Sequence, residues 1–178
     1  MACRPSRLPL ALPALAVLIA GGCGGPPPSG EAIRFDPCQP LALAVDADAT
    51  GEQTSAVQDA SALWNQIAPT QLSSASQVNA ASAPASTPTV PVRFQPAAAP
   101  SHGYYDPVSG AILINTDLHG RAGAVTIAHE VGHAFGLVHV DPQQHPSVMN
   151  PGNLDIAPTT EDRDALAALW GQCPAVKP

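Results

Sequence analysis

The chain has 178 residues, with seven Lys and Arg against fourteen Asp and Glu, a net charge of −7 and 4 % aromatic residues. That length suits a single domain. The acidic balance, with no Lys/Arg cluster, phosphate-binding loop or dinucleotide fingerprint, argues against nucleic acid as a partner.

The N-terminus reads as an export signal. Arg4 and Arg7 precede an apolar run from Leu8 to Ala20, and Ala20-Gly21-Gly22-Cys23 closes it with small residues. The run is too short to span a bilayer. Cys23 after two glycines resembles a bacterial lipobox, in which the cysteine is acylated and becomes the mature N-terminus, although Ala20 stands where leucine is more usual. The sequence thus predicts a signal peptide over 1–22, lipidation at Cys23, a Gly/Pro-rich tether over 23–34, a domain over 35–174 and a tail over 175–178. A plain secretory signal is the alternative. Without Arg4 and Arg7, five basic residues face fourteen acidic ones, a net charge of −9. The protein is expected in the cell envelope or outside the cell, touching membrane only through the lipid.

Cys38 and Cys173 lie near the two ends of the predicted domain, and in an exported protein a disulfide between them is the default. Leu41 to Asp46 is an apolar run bounded by Pro40, which suggests a buried strand. From Thr54 to Ile67, Val57, Ala60, Leu63, Trp64 and Ile67 recur at helical spacing, so Trp64 belongs to a packing stripe. Residues 73–90, rich in Ser, Ala, Thr and Pro, read as a surface loop. Val90 to Phe94 suggests a second strand, with Pro91 pointing to a strand end or an edge. Tyr104 to Gly110 is turn-like, and Ala111 to Asn115 is a third strand.

The helix predicted from Ala122 to Phe135 carries the chemistry. Residues four apart share a helical face, so His129 and His133 aim two imidazoles at one point. Glu130, one position round, reaches a water held there but is poorly placed to ligate, which is the position of a general base. Gly136 can take the left-handed conformation that ends a helix, returning His139 as a third ligand. Three protein ligands with an open fourth position is the catalytic pattern of Zn2+. Glu161, the only downstream glutamate, suits instead the first turn of a last helix, which starts at Thr159-Thr160-Glu161-Asp162 and carries Leu166, Leu169 and Trp170 to Gly171.

His129-Glu130-Val131-Gly132-His133-Ala134-Phe135-Gly136-Leu137-Val138-His139, followed ten residues later by Ser147-Val148-Met149-Asn150, resembles the metzincin zinc peptidases. The element order over Phe35 to Cys173 is similar to their matrixin-type catalytic domains. The resemblance implies an α+β fold: a small twisted mixed sheet, a buried zinc helix, an N-terminal packing helix and a C-terminal helix. It implies that Met149 forms an apolar floor below the metal without ligating it, and that the third strand is an edge to which an extended peptide adds. Val140 and Asn150 depart from the matrixin pattern, where serine follows the third histidine and tyrosine often follows the methionine. In many matrixins a pro-segment cysteine ligates the zinc; Cys38 could be read so, but Phe35 to Pro40 lacks the surrounding pattern.

The activity expected is hydrolysis of internal peptide bonds in protein or peptide substrates by an exported, monomeric, zinc-dependent endopeptidase. The alternatives are a zinc-containing surface lipoprotein that binds without catalysis, and a zinc hydrolase of other amides or esters. A second zinc or a Ca2+ would have to draw on His102, His119 and His145 with Asp106, Asp117 or Asp141.

Overall fold

A computed structural model describes residues 32–76, 87–97 and 101–174. The predicted signal, the lipidation site at Cys23, most of the tether and the tail lie outside those residues.

The fold is α+β. Among the described residues, a five-stranded mixed sheet is formed by β1 (Pro40–Val45), β2 (Gln71–Ser76), β3 (Thr89–Gln95), β4 (Gly103–Asp106) and β5 (Ala111–Asn115), in the order β2-β1-β3-β5-β4. All pairs are parallel except β4 with β5. The three helices are α1 (Gly51–Ile67), α2 (Gly120–Ala134) and α3 (Thr160–Trp170).

β1 is buried along Leu41 to Val45, as the continuous apolar run of a parallel interior strand requires. α1 begins at a capping box in which Thr50 and Gln53 each bond the other's backbone N–H. Its stripe of Val57, Ala60 and Trp64 is fully buried. The Trp64 indole donates to the Ala128 carbonyl of α2 at 2.8 Å and meets Phe135 edge-on, with ring centroids 5.8 Å apart. α1 packs over β1 and β2, α2 packs over β4 and β5, and the two helices pack on each other.

Four expectations change. Residues 73–90 are not all loop, because β2 occupies their start and β3 begins at Thr89. Tyr104 to Gly110 is not all turn: Gly103–Asp106 is a strand antiparallel to β5, and Gly110, at φ +69°, follows Pro107 in the reversal. β4 is therefore the sheet edge, and the Ala111–Asn115 strand is paired on both sides. Pro91 stands in an interior strand opposite Ala44, and is tolerated there because the pairing with β5 begins only at Val92.

Cys38 and Cys173 form a disulfide that closes a separation of 135 residues. Cys38 is consequently no free thiol ligand. Among the described residues, backbone hydrogen bonding to the body begins at Ile33, whose N–H donates to Pro107.

Candidate metal centre

α2 is buried from Gly123 to Val131, a consequence of apolar residues on several sides. Its N-terminus has no local side-chain cap; Glu52 of α1 accepts from the Gly120 N–H at 3.2 Å. At the other end Gly136, at φ +95°, reverses the chain. Leu137 then donates back to the Gly132 carbonyl, and His139 returns toward the helix.

His129, His133 and His139 converge, each with one ring nitrogen within 4.8 Å of the others. The Nε2 of His139 lies 3.2 Å from the Nε2 of His129 and 3.2 Å from that of His133. Nitrogens bound tetrahedrally at the zinc–nitrogen distance of about 2.05 Å stand ~3.3 Å apart. The spacing therefore fits a metal ion. Tautomers fit as well, because His129 Nδ1 lies 2.7 Å from the Val148 carbonyl and His133 Nδ1 2.9 Å from the Leu137 carbonyl. A carbonyl only accepts, so each Nδ1 carries the proton and each Nε2 keeps its lone pair for a ligand. Burial pulls His129 down to about 4 and lowers His133 as well, so these rings stay neutral at pH 7.

Glu130 is 5 % exposed. Burial pushes its carboxyl up to about 7, against a hydrogen bond from the Tyr105 backbone. The edge strand comes this close because residue 103 is glycine: a Cβ there would lie 2.8 Å from Thr126 Cγ2 and 3.0 Å from Glu130 Oε1.

Met149 is 1 % exposed. Its sulfur occupies the space of a side chain at Gly132, where a Cβ would sit 2.3 Å away. The turn carrying it is tied to α3 by Asp162, which accepts from Ser147 Oγ, from Val148 N at 3.0 Å and from Thr159 N at 2.8 Å. Sequence reading saw Asp162 only as part of a helix start. Its place three residues after the capping Thr159 marks a capping box and nothing of its reach to Ser147 and Val148. Asn115 was also missed; its side-chain amide donates to the carbonyls of Ala97 and Ser101, fixing the approach to β4.

Val140 and Asn150, the two departures from the matrixin pattern, meet: Asn150 Nδ2 donates to the Val140 carbonyl at 3.0 Å, and Val140 N donates to Met149 O. His102, His119 and His145 do not join the triad, and the described residues bring together no second group of three metal-ligating side chains. His119 instead faces Glu52 at 3.4 Å on the surface, and His145 lines an apolar groove beside α3.

Two hollows flank the triad. One, of about 390 Å³, is bounded by Arg34, Tyr104, Glu130, His133 and His139. The other, of about 210 Å³, is bounded by His102, His129, Glu130 and the Pro151–Asn153 loop. No protein-family model matches the chain, and no curated protein matches it.

Proposed function

We propose that this protein is an exported zinc endopeptidase of the metzincin type, acting on proteins or peptides. The observation that carries the reading is the triad itself: three imidazole nitrogens converging at the spacing a tetrahedral ion requires, beside a buried carboxylate that is not among them. Three imidazoles with an open position favour Zn2+, a metal that accepts nitrogen ligands and four-coordination.

His129, His133 and His139 would hold the ion. Zinc bound there supplies Lewis acidity toward a scissile carbonyl and lowers the pKa of water to about 7. Glu130 would serve as the general base, its buried carboxyl accepting a proton from an attacking water and returning it to the departing amine. The Met149 sulfur fills the space beside Gly132, between His129 and His133 on α2, as the resemblance to a Met-turn implies. The hollows on both sides leave room for a chain that extends in two directions from the cleaved bond, which favours an endopeptidase.

The match of His129 to His139 and of Ser147 to Asn150 to the metzincin pattern supports the family reading. The buried Glu130 favours catalysis over a binding module, since a purely structural metal site has no use for that carboxylate. A disulfide is characteristic of oxidising compartments and supports export. Glu130→Gln tests the mechanism: zinc content should remain near one ion per chain while peptide hydrolysis falls by at least about a hundredfold. Wild-type turnover in that variant would remove Glu130 from the reaction.

A further inference from the structure

Arg34 lines the larger hollow with Glu130, His133 and His139. Its backbone is pinned on both sides. Ile33 N donates to Pro107 O at 2.8 Å and Ile33 O accepts from the Tyr105 hydroxyl at 2.7 Å, while Phe35 N donates to Ala134 O at 2.9 Å. The segment is thus strapped between the β4–β5 turn and the end of α2.

The Arg34 side chain runs over the bare face of Gly136, where a Cβ would stand 3.2 Å from its Cδ, 3.4 Å from Nε and 3.6 Å from Nη1. This places the guanidinium against the loop that leads from His133 to His139. Of the other described arginines, Arg121 is paired with Asp155 and Arg163 with Asp164, while Arg93 on β3 lacks an ion pair but does not border this hollow. Arg34 has no acidic partner among the described residues. In a chain of net charge −7, the one Lys or Arg bordering this hollow has its charge uncompensated by any ion pair.

We propose that Arg34 is a specificity-determining residue that pairs with a carboxylate of the peptide lying in this hollow. The proposal rests on the peptidase reading. A guanidinium offers a planar fork of donors that matches a carboxylate with two parallel hydrogen bonds, and the one acidic side chain in the lining, Glu130, is buried and accepts from the Tyr105 backbone. The pinned backbone limits what the side chain loses on binding, leaving its own rotamers as the main entropic cost. Two sources of that carboxylate exist: a glutamate or aspartate side chain, and a free peptide C-terminus.

The experiment uses the full-length, zinc-loaded protein and matched fluorescent peptides, with glutamate scanned along the sequence, glutamine in its place, and each with a free or amidated C-terminus. The wild type should favour the best glutamate peptide over its glutamine match by about fivefold, chiefly through KM. Arg34→Gln should erase that ratio without changing turnover of the glutamine peptide, Arg34→Lys should keep part of it, and Arg34→Glu should favour lysine at the same position. Loss of the preference on amidation, and not on exchange of glutamate for glutamine, assigns the terminal carboxylate. Equal glutamate-to-glutamine and free-to-amidated ratios in wild type and Arg34→Gln would overturn the proposal.

Binding separates this outcome from failure of the peptidase reading. If no peptide is cleaved, that reading fails, while anisotropy with the same peptides on zinc-loaded Glu130→Gln still reports on Arg34. An Arg34-dependent, carboxylate-dependent Kd there sustains the pairing, and identical Kd values for all peptides reject it.

Discussion

The Nδ1 of His129 lies 2.7 Å from the carbonyl oxygen of Val148, nineteen residues further along the chain. The amide of the same Val148 donates to Asp162 at 3.0 Å. One peptide segment thus links the His129 ring to the first turn of α3, and the orientation of the ring depends on a carboxylate that does not itself bond it.

Asp162→Asn should therefore weaken metal binding although every ligand is retained. The amide side chain has only one acceptor oxygen and presents donors to the Ser147 hydroxyl, the Val148 amide and the Thr159 amide. A loss of about tenfold in zinc affinity is expected, measured by competition with a calibrated chelator, together with about 1–3 kcal/mol of stability. Unchanged affinity would show that the ring holds its orientation without this link.

Gly132→Ala should destabilise the protein by about 1–3 kcal/mol, because the new methyl and the Met149 sulfur claim the same space in a buried site. Combining it with Met149→Ala should cost less than the two single changes together. Chemical denaturation of the four proteins in the cycle checks the coupling, and strict additivity would contradict the contact.

Metal-free Glu130→Gln should lose stability as the pH falls from about 6.5 toward 4, whereas in the wild type the buried Glu130 carboxyl, held at about 7, gains stability over the same range and offsets most of the decline. The native state holds His129 at about 4, whereas an unfolded chain protonates it near 6.5, so between those values the unfolded state binds the extra proton. The contribution is intact above 6.5 and disappears on acidification, on the order of 3 kcal/mol in all, with the lowered His133 acting in the same direction. Thermal melts of chelator-treated Glu130→Gln should show this decline, and a shallower one when His129→Gln is added.

Replacing Cys38 and Cys173 with alanine should lower stability by up to about 5 kcal/mol, given the length of the loop that the bond closes. Melting temperatures of the variant and of the reduced wild type should agree. A variant as stable as the oxidised protein would mean that other contacts hold both segments.

Much of the site was legible because helical period and a single reversing glycine fix it locally: His129 and His133 share a face, Gly136 has the positive φ expected of it, and His139 returns. Distant partners defeated the rest. β2, Gln71-Leu72-Ser73-Ser74-Ala75-Ser76, has no β-branched residue and is a strand because it pairs with β1 along its whole length. β4 is four residues long and carries the Asp and precedes the Pro that signal a turn. The start of α2 lies two residues earlier than its apolar pattern suggested, since its cap comes from Glu52, 68 residues away. Asp162 and Asn115 act through backbone groups remote in sequence, which no local spacing reveals.

The link from His129 through Val148 to Asp162 also sets an order of events. A chain delivered N-terminus first presents all three imidazoles before the segment that orients the first of them has emerged. Tight capture of an ion by the three imidazoles would thereby be deferred until the last helix docks, and a truncated chain would hold such an ion loosely and give it up to a competing scavenger.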